Sequence, residues 1–255
     1  MTDKELLTVT SEIGRMLIEC GAEIYRAEDS INRIAAAYGR EKENGIEVFA
    51  IPACLIITID GADGLPITKQ SRITRRQTNL DRVDKLNNLS RYICTEKPDF
   101  AKIMTYINQI RNRPTYSFTV ITISYVIIGA VFTLFYGGGA KEALTAGVIA
   151  LIILFTERAC ERINPSIFFQ SLIGSAIASA IAFLVSLTGF TDGFDTVIIG
   201  ALMTLVPGVT LTNGMRDFIA GDFLAGLYTL TEALLTAIGM AVGTAAAITF
   251  LTRVL

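Results

Sequence analysis

From Leu6 to Tyr38, apolar or small residues recur at steps of three and four: Leu6, Ile13, Leu17, Cys20, Ile24, Ala27, Ile31, Ile34 and Tyr38. Glu12, Arg15, Glu19, Arg26 and Arg33 fall elsewhere on the wheel, so the spacing predicts an amphipathic helix divided near Gly21 and stopped at Gly39. From Ile46 the period shortens to β-rich runs, IEVFAI, then CLIITI after Pro52, then ITKQSRITRR beyond the turn DGADGLP. These predict a small antiparallel sheet. Helical spacing returns in LDRVDKLNNLSRYI and again from Asp99 to about Arg111. Beyond Pro114 the pattern turns almost uniformly apolar, and the expected membrane spans cover residues 116–136, 140–156, 167–187, 195–211 and 223–251. Runs of about 20 apolar residues are long enough to cross a bilayer core. The expected fold class is an α+β cytoplasmic domain, residues 1–113, followed by an all-α polytopic membrane domain of about five transmembrane helices, residues 114–255.

Composition sharpens that division. The 22 Lys and Arg and 24 Asp and Glu residues are unevenly placed, 33 of them before Pro114 and 13 after it. Hydrophobic residues make up 51% of the chain, too many for an ordinary soluble protein of this size. A net charge of -2 gives no reason to expect a nucleic-acid partner. Histidine is absent, which removes the commonest general base and metal ligand. Cys20, Cys54, Cys94 and Cys160 lie far apart and suggest neither a zinc site nor a disulfide framework. With no nucleophile elbow, P-loop or dinucleotide fingerprint, neither an enzyme nor a cofactor is expected. The N-terminus has no signal-peptide pattern and is expected to stay in the cytoplasm.

The stretch LVPGVTLTNGMRDFIAGD, Leu205 to Asp222, is the candidate for function. Pro207 cannot donate a backbone hydrogen bond and clashes with the carbonyl four residues back, on Met203, so it opens the helical ladder beside Gly208. In a bilayer such an opening is tolerated where protein or a water-filled cavity satisfies the freed groups, and transporters build binding sites this way. The alternative is a plain helix end with a Pro-Gly turn and a charged cytoplasmic loop. Glu232 lies within the last span, where a carboxylate is costly enough to suggest a role. It shares a stripe with Thr229, Thr236, Gly239 and Gly243, and the third span carries Ser171, Ser175 and Ser179. Such small-residue stripes allow close helix approach.

Two other polar groups carry open readings. GAEIYRAEDSINR, Gly21 to Arg33, holds five charged residues. It is either a ligand or regulatory surface or a solvated face with ion pairs such as Glu19 with Arg26. Arg72, Arg75 and Arg76 either meet anionic lipid headgroups or a ligand carboxylate, or simply alternate along a strand near a membrane. Asn164 and Pro165 suit the start of the third span. Lys and Arg near the span ends put the N-terminus in the cytoplasm and, with five spans, the C-terminus outside. At about 1.5 Å per residue, Pro207 and Glu232 would then both lie near the midplane. Five is an odd number and no internal repeat is visible, so a second copy or a second small membrane subunit is expected.

GAEIYRAEDSINRIAAAYG, RITRRQTNLDRVDKLNNL, RINPS and LVPGVTLTNGMRDFIAGD together resemble the N-terminal half of the threonine/serine exporter family, across nearly the whole chain. The resemblance implies secondary export of small polar metabolites across the bacterial cytoplasmic membrane: threonine and serine in some members, the dicarboxylate succinate in others. It also implies a second membrane module, appended in longer relatives and separate in split systems. Under that reading Pro207 and Gly208 open the backbone, and Thr204, Thr210 and Asn213 hydrogen-bond the cargo. Arg216 attracts a carboxylate, Asp217 orients Arg216 or meets an amino group, and Glu232 carries a coupling proton. The competing reading is a membrane-anchored ligand-sensing or regulatory domain without transport of its own.

Overall fold

The computed structural model describes residues 1–40, 45–61, 64–163 and 166–254. Asn164 and Pro165, expected to start the third span, lie outside the described residues. The chain forms two compact units, each drawn from two stretches of sequence: residues 1–114 with 209–230, and 115–208 with 231–255.

In the first unit, α1 (Asp3–Glu19) opens with a capping box between Thr2 and Glu5, and α2 (Ile24–Ala37) follows after a tight reversal. That reversal needs Gly21, whose φ of 81° is in the left-handed region. The expected division near Gly21 is therefore a full break into two helices. Strands β1 (Ile46–Ile51), β2 (Cys54–Asp60) and β3 (Pro66–Arg72) form an antiparallel meander in the order β1-β2-β3. Leu55, Ile57 and Ile59 alternate inward along β2 onto Ile13, Leu17, Ile31 and Ile34 of the two helices. Helices α3 (Leu80–Glu96) and α4 (Phe100–Arg111) add Leu86, Ile93, Ile103 and Ile107 to the same core. Arg72 ends β3, whereas Arg75 and Arg76 follow in the connection to α3, so the three arginines do not alternate along one strand.

The second unit contains α5 (Phe118–Phe135), α6 (Ala140–Ile163), α7 (Ile167–Leu187), α8 (Phe194–Leu202) and the larger part of α10 (Phe223–Val254). Between lipid-compatible helices the hydrophobic effect gives little discrimination, so small residues set the close contacts. A Cβ on Gly243 would sit 2.3 Å from the Leu172 carbonyl oxygen, and one on Gly239 would sit 2.3 Å from the Ser171 hydroxyl. The expected serine stripe and glycine pair therefore face one another across α7 and α10. Ser179 Oγ donates to Thr244 Oγ1 at 3.1 Å on the same seam. Short α8 packs against α5, α6 and α7, burying Val197, Ile198 and Ala201 with Ala146, Ile149 and Ala178.

This corrects the expected fold class of an α+β cytoplasmic domain followed by an all-α membrane domain with about five transmembrane helices. The described residues contain ten helices, of which four are long and apolar enough to cross a membrane, and one three-stranded sheet. No separate N-terminal domain is present, because residues 209–230 belong to the first compact unit. The four candidates are Phe118–Phe135, Ala140–Glu161, Ile167–Leu187 and Phe223–Val254. The expected fourth span, 195–211, is not one helix, since α8 has only nine residues. At about 1.5 Å per residue it is well short of a bilayer core. Conversely, α6 runs on to Ile163, past the expected end of the second span at residue 156. The argument from an odd number of spans falls with the fifth span, as does the orientation built on it.

Candidate functional site

The helical ladder of α8 gives way before Pro207. Met203 N donates to Ile199 O at 3.2 Å, Thr204 N to Ala201 O at 3.4 Å and Leu205 N to Leu202 O at 2.8 Å, a tightening turn that closes the helix. Val206, restricted by the proline that follows it, is non-helical, and α9 (Gly208–Ala220) begins immediately afterwards. Thr204 Oγ1 donates to Ala201 O at 2.9 Å, as threonines near a helix end commonly do. Pro207 is half-buried and Gly208 exposed. The estimate of Pro207 at mid-membrane assumed a continuous helix from Thr196 and does not hold.

From Val209 the chain belongs to the first unit, and three of its polar residues meet the reversal between α1 and α2. Asn213 Nδ2 donates to the Gly21 carbonyl at 3.0 Å. Arg216 Nη1 pairs with Glu23 Oε1 at 2.7 Å, and Arg26 Nε lies 3.3 Å from Glu23 Oε2. Glu23 is 7% exposed at its side chain, so two guanidiniums compensate one buried carboxylate. The Tyr25 backbone N–H donates to Asp217 Oδ1 at 3.3 Å. Glu23, at the N-cap position of α2, caps that helix with no side-chain bond of its own, and Asp217 supplies a carboxylate there from a distant part of the sequence.

Asp217 is almost fully buried. Burial pushes its carboxyl up to about 6, against the backbone N–H groups of Tyr25 and Ile24, which pull it down. Asp222 and Glu23 add to the upward push. Thr210 is half-buried on α9, and Thr212 Oγ1 donates to the Val209 carbonyl at 3.0 Å. The hairpin from α9 into α10 is tightened where Gly226 meets the Phe218 backbone, and Phe218 and Phe223 stack edge to face at 4.9 Å.

The structure thus gathers Asn213, Arg216 and Asp217 and gives each a partner within the chain. Thr204, Pro207, Gly208 and Glu232 belong to the second unit. Glu232 is half-buried in α10, where its carbonyl accepts a hydrogen bond from Thr236 Oγ1 at 2.9 Å. Sequence reasoning did not foresee Gly21, Glu23 and Tyr25 as the seat for α9. It read the charges of GAEIYRAEDSINR as a ligand surface or a solvated face. The ion pair offered for that face, Glu19 with Arg26, does not form: Glu19 pairs with Arg15, and Arg26 with Glu23. A usable signal was present in Glu23, a carboxylate placed just ahead of the apolar helical face of α2.

Residues 8–251 match the model of the family described as "Putative threonine/serine exporter". A "Probable threonine/serine exporter" of Mycobacterium tuberculosis is 22% identical over 241 residues, covering 94% of this chain and 45% of the relative. A "Threonine/serine exporter" of Corynebacterium glutamicum is 22% identical over 245 residues, covering 93% of this chain and 50% of the relative. The chain therefore spans about half the length of these curated relatives. No solved structure matches it. Since the family match runs through nearly all of both compact units, the chain belongs to the threonine/serine exporter family.

Proposed function

We propose that this membrane protein exports threonine and serine across the bacterial inner membrane as a secondary transporter. The match to the exporter family over residues 8–251 carries the reading. The apolar helices of the second unit supply the membrane-embedded part, and the helix interruption between Leu202 and Gly208 supplies backbone groups released from the regular ladder. In this reading Thr204 and the opened backbone at Pro207 and Gly208 meet the hydroxylated cargo. Glu232 exchanges the coupling proton. Asn213, Arg216 and Asp217 hold α9 on the α1–α2 reversal, and their release and re-engagement accompany the transport cycle.

As the family resemblance implies, we further propose that this chain acts together with a second small membrane subunit. Efflux of labelled threonine from cells lacking the chain, restored by this chain together with such a subunit, is the expected result. Efflux of a dicarboxylate in place of threonine and serine would overturn the cargo assignment. In proteoliposomes, Thr204→Val is expected to raise the KM for threonine, while Glu232→Gln removes the response of flux to a pH gradient. Undiminished pH-driven flux in Glu232→Gln would remove that residue from the coupling step.

A further inference from the structure

The first unit also holds a cavity of about 430 Å³, within the size range of small-molecule pockets, whose lining includes Cys20 beside Gly21 but none of the residues that seat α9. Four arginines from four segments line it: Arg15 of α1, Arg75 of the β3–α3 connection, Arg82 of α3 and Arg111 at the end of α4. The lining carboxylate is Glu19. Main-chain bonds fix this arrangement, because Gln77 N donates to Glu19 O at 2.8 Å and Asn79 N to Cys20 O at 2.9 Å. These two bonds hold the β3–α3 connection against the end of α1. Asn79 then caps α3, its Oδ1 accepting from Arg82 N at 3.0 Å, so the electropositive first turn of a 17-residue helix opens at the cavity.

Two of the four charges are neutralised locally. Arg15 bridges Glu12 and Glu19, each at 2.8 Å, and Arg111 pairs with Glu12. Arg75 and Arg82 have no carboxylate within ion-pair distance among the described residues. Arg82 Nη2 donates to the Arg113 carbonyl at 3.1 Å, and its buried Nε has no hydrogen-bond partner among the described residues. A buried guanidinium N–H without an acceptor is unfavourable, and native proteins rarely leave one so. Elsewhere in this unit Arg26, Arg33, Arg40 and Arg113 each have a carboxylate partner, and among the described residues without one, Arg72 and Arg91 are exposed to solvent. The buried, unpartnered Nε of Arg82, with exposed Arg75 beside it at the same cavity, therefore calls for an anion from outside the chain.

We propose that this cavity binds a phosphate group carried by a small molecule or a lipid. Guanidinium forks approaching from separate segments suit a tetrahedral dianion with several acceptor oxygens better than a single carboxylate. Its lining shares no residue with the cargo path proposed above, and its test does not depend on transport.

Binding is measured on the full chain in phosphate-free detergent at fixed ionic strength, by thermal shift and calorimetric titration. One arm uses inorganic phosphate and the other a water-soluble short-chain phosphatidate. Saturable stabilisation by phosphate is expected, with affinity reduced by about tenfold in Arg75→Gln and in Arg82→Gln, and less in Arg82→Lys. Response to phosphatidate alone, lost in the same variants, would assign the phosphate to a lipid headgroup. Arg75 is exposed, so its substitution leaves the fold intact and any loss of binding is local. No saturable response to either probe, or equal binding by wild type and Arg75→Gln, overturns the proposal.

Discussion

Asp217 shows how one side chain links two distant parts of the sequence. Its carboxylate sits at the start of α2 with Tyr25 N–H at 3.3 Å, yet burial raises its carboxyl from an ordinary 3.8 to about 6. The folded chain therefore takes up this proton before the unfolded chain does, and the group favours folding increasingly as pH falls from about 6 toward 3.8. Above about 6 its ionisation is a burden on the fold. Asp217→Asn keeps an acceptor for the helix start and removes the titration. Wild type measured against this variant is expected to gain relative stability between about pH 7 and about pH 5, read as a difference in melting temperature. Asp217→Ala is expected to lose about 1 kcal/mol at either pH through the missing cap. Arg216 is more exposed than its partner, so Arg216→Gln is expected to cost about 1 to 2 kcal/mol, mainly because Glu23 stays buried. A double-mutant cycle with Glu23→Gln checks that the loss is shared by the pair, although Arg26 keeps part of the compensation.

At the scale of elements, periodicity revealed what local packing decides and missed what distant contacts decide. The apolar faces of α1 and α2 with a division near Gly21, the three strands, and the small-residue stripes of α7 and α10 were legible because each follows from spacing within one segment; that the two stripes face one another was not. The end of α8 was not, because a proline predicts that a helix opens but not how many residues earlier the ladder closes. Here Met203, Thr204 and Leu205 absorb the change ahead of it. The extension of α6 through Glu157 was hidden by its charges, although Tyr125 Oη donates to Glu157 Oε2 at 2.7 Å and gives that carboxylate a place in a helix bundle. Gly200 brings α8 against α5 so closely that a Cβ would lie 2.9 Å from the Gly129 carbonyl oxygen, a backbone atom that cannot swing aside. Gly200→Ala is therefore expected to destabilise the second unit by about 1 to 3 kcal/mol. The same change at exposed Gly208, where a Cβ meets nothing within 4 Å, is expected to leave the melting temperature nearly unchanged.

At the scale of the whole molecule, the sequence boundary at Pro114 separates charged from apolar composition but not one folded body from another. Residues 209–230 return to the first unit, where Ala225 joins its core and α9 seats on Gly21, Glu23 and Tyr25. That return was illegible because neither partner motif names the other: one was read as a helix surface, the other as a membrane break and its loop. It changes what a truncation measures. Removing residues 1–113 deletes the seat of α9 as well as the sheet and its helices, leaving Asn213, Arg216 and Asp217 without the groups they bind. Loss of threonine efflux in that truncation would follow whether or not the first unit has a part in transport. The informative comparison is a fragment of residues 1–114 against the same fragment fused through a flexible linker to residues 209–230. The fusion is expected to melt higher by several degrees, a shift of the size expected for about 1 kcal/mol in a unit of this length. Arg216→Glu in the fusion is expected to cancel most of that gain by setting a second carboxylate against buried Glu23. Equal melting of the two fragments would mean that the ion pair and the helix cap contribute nothing to holding α9, and that another part of the chain keeps it in place.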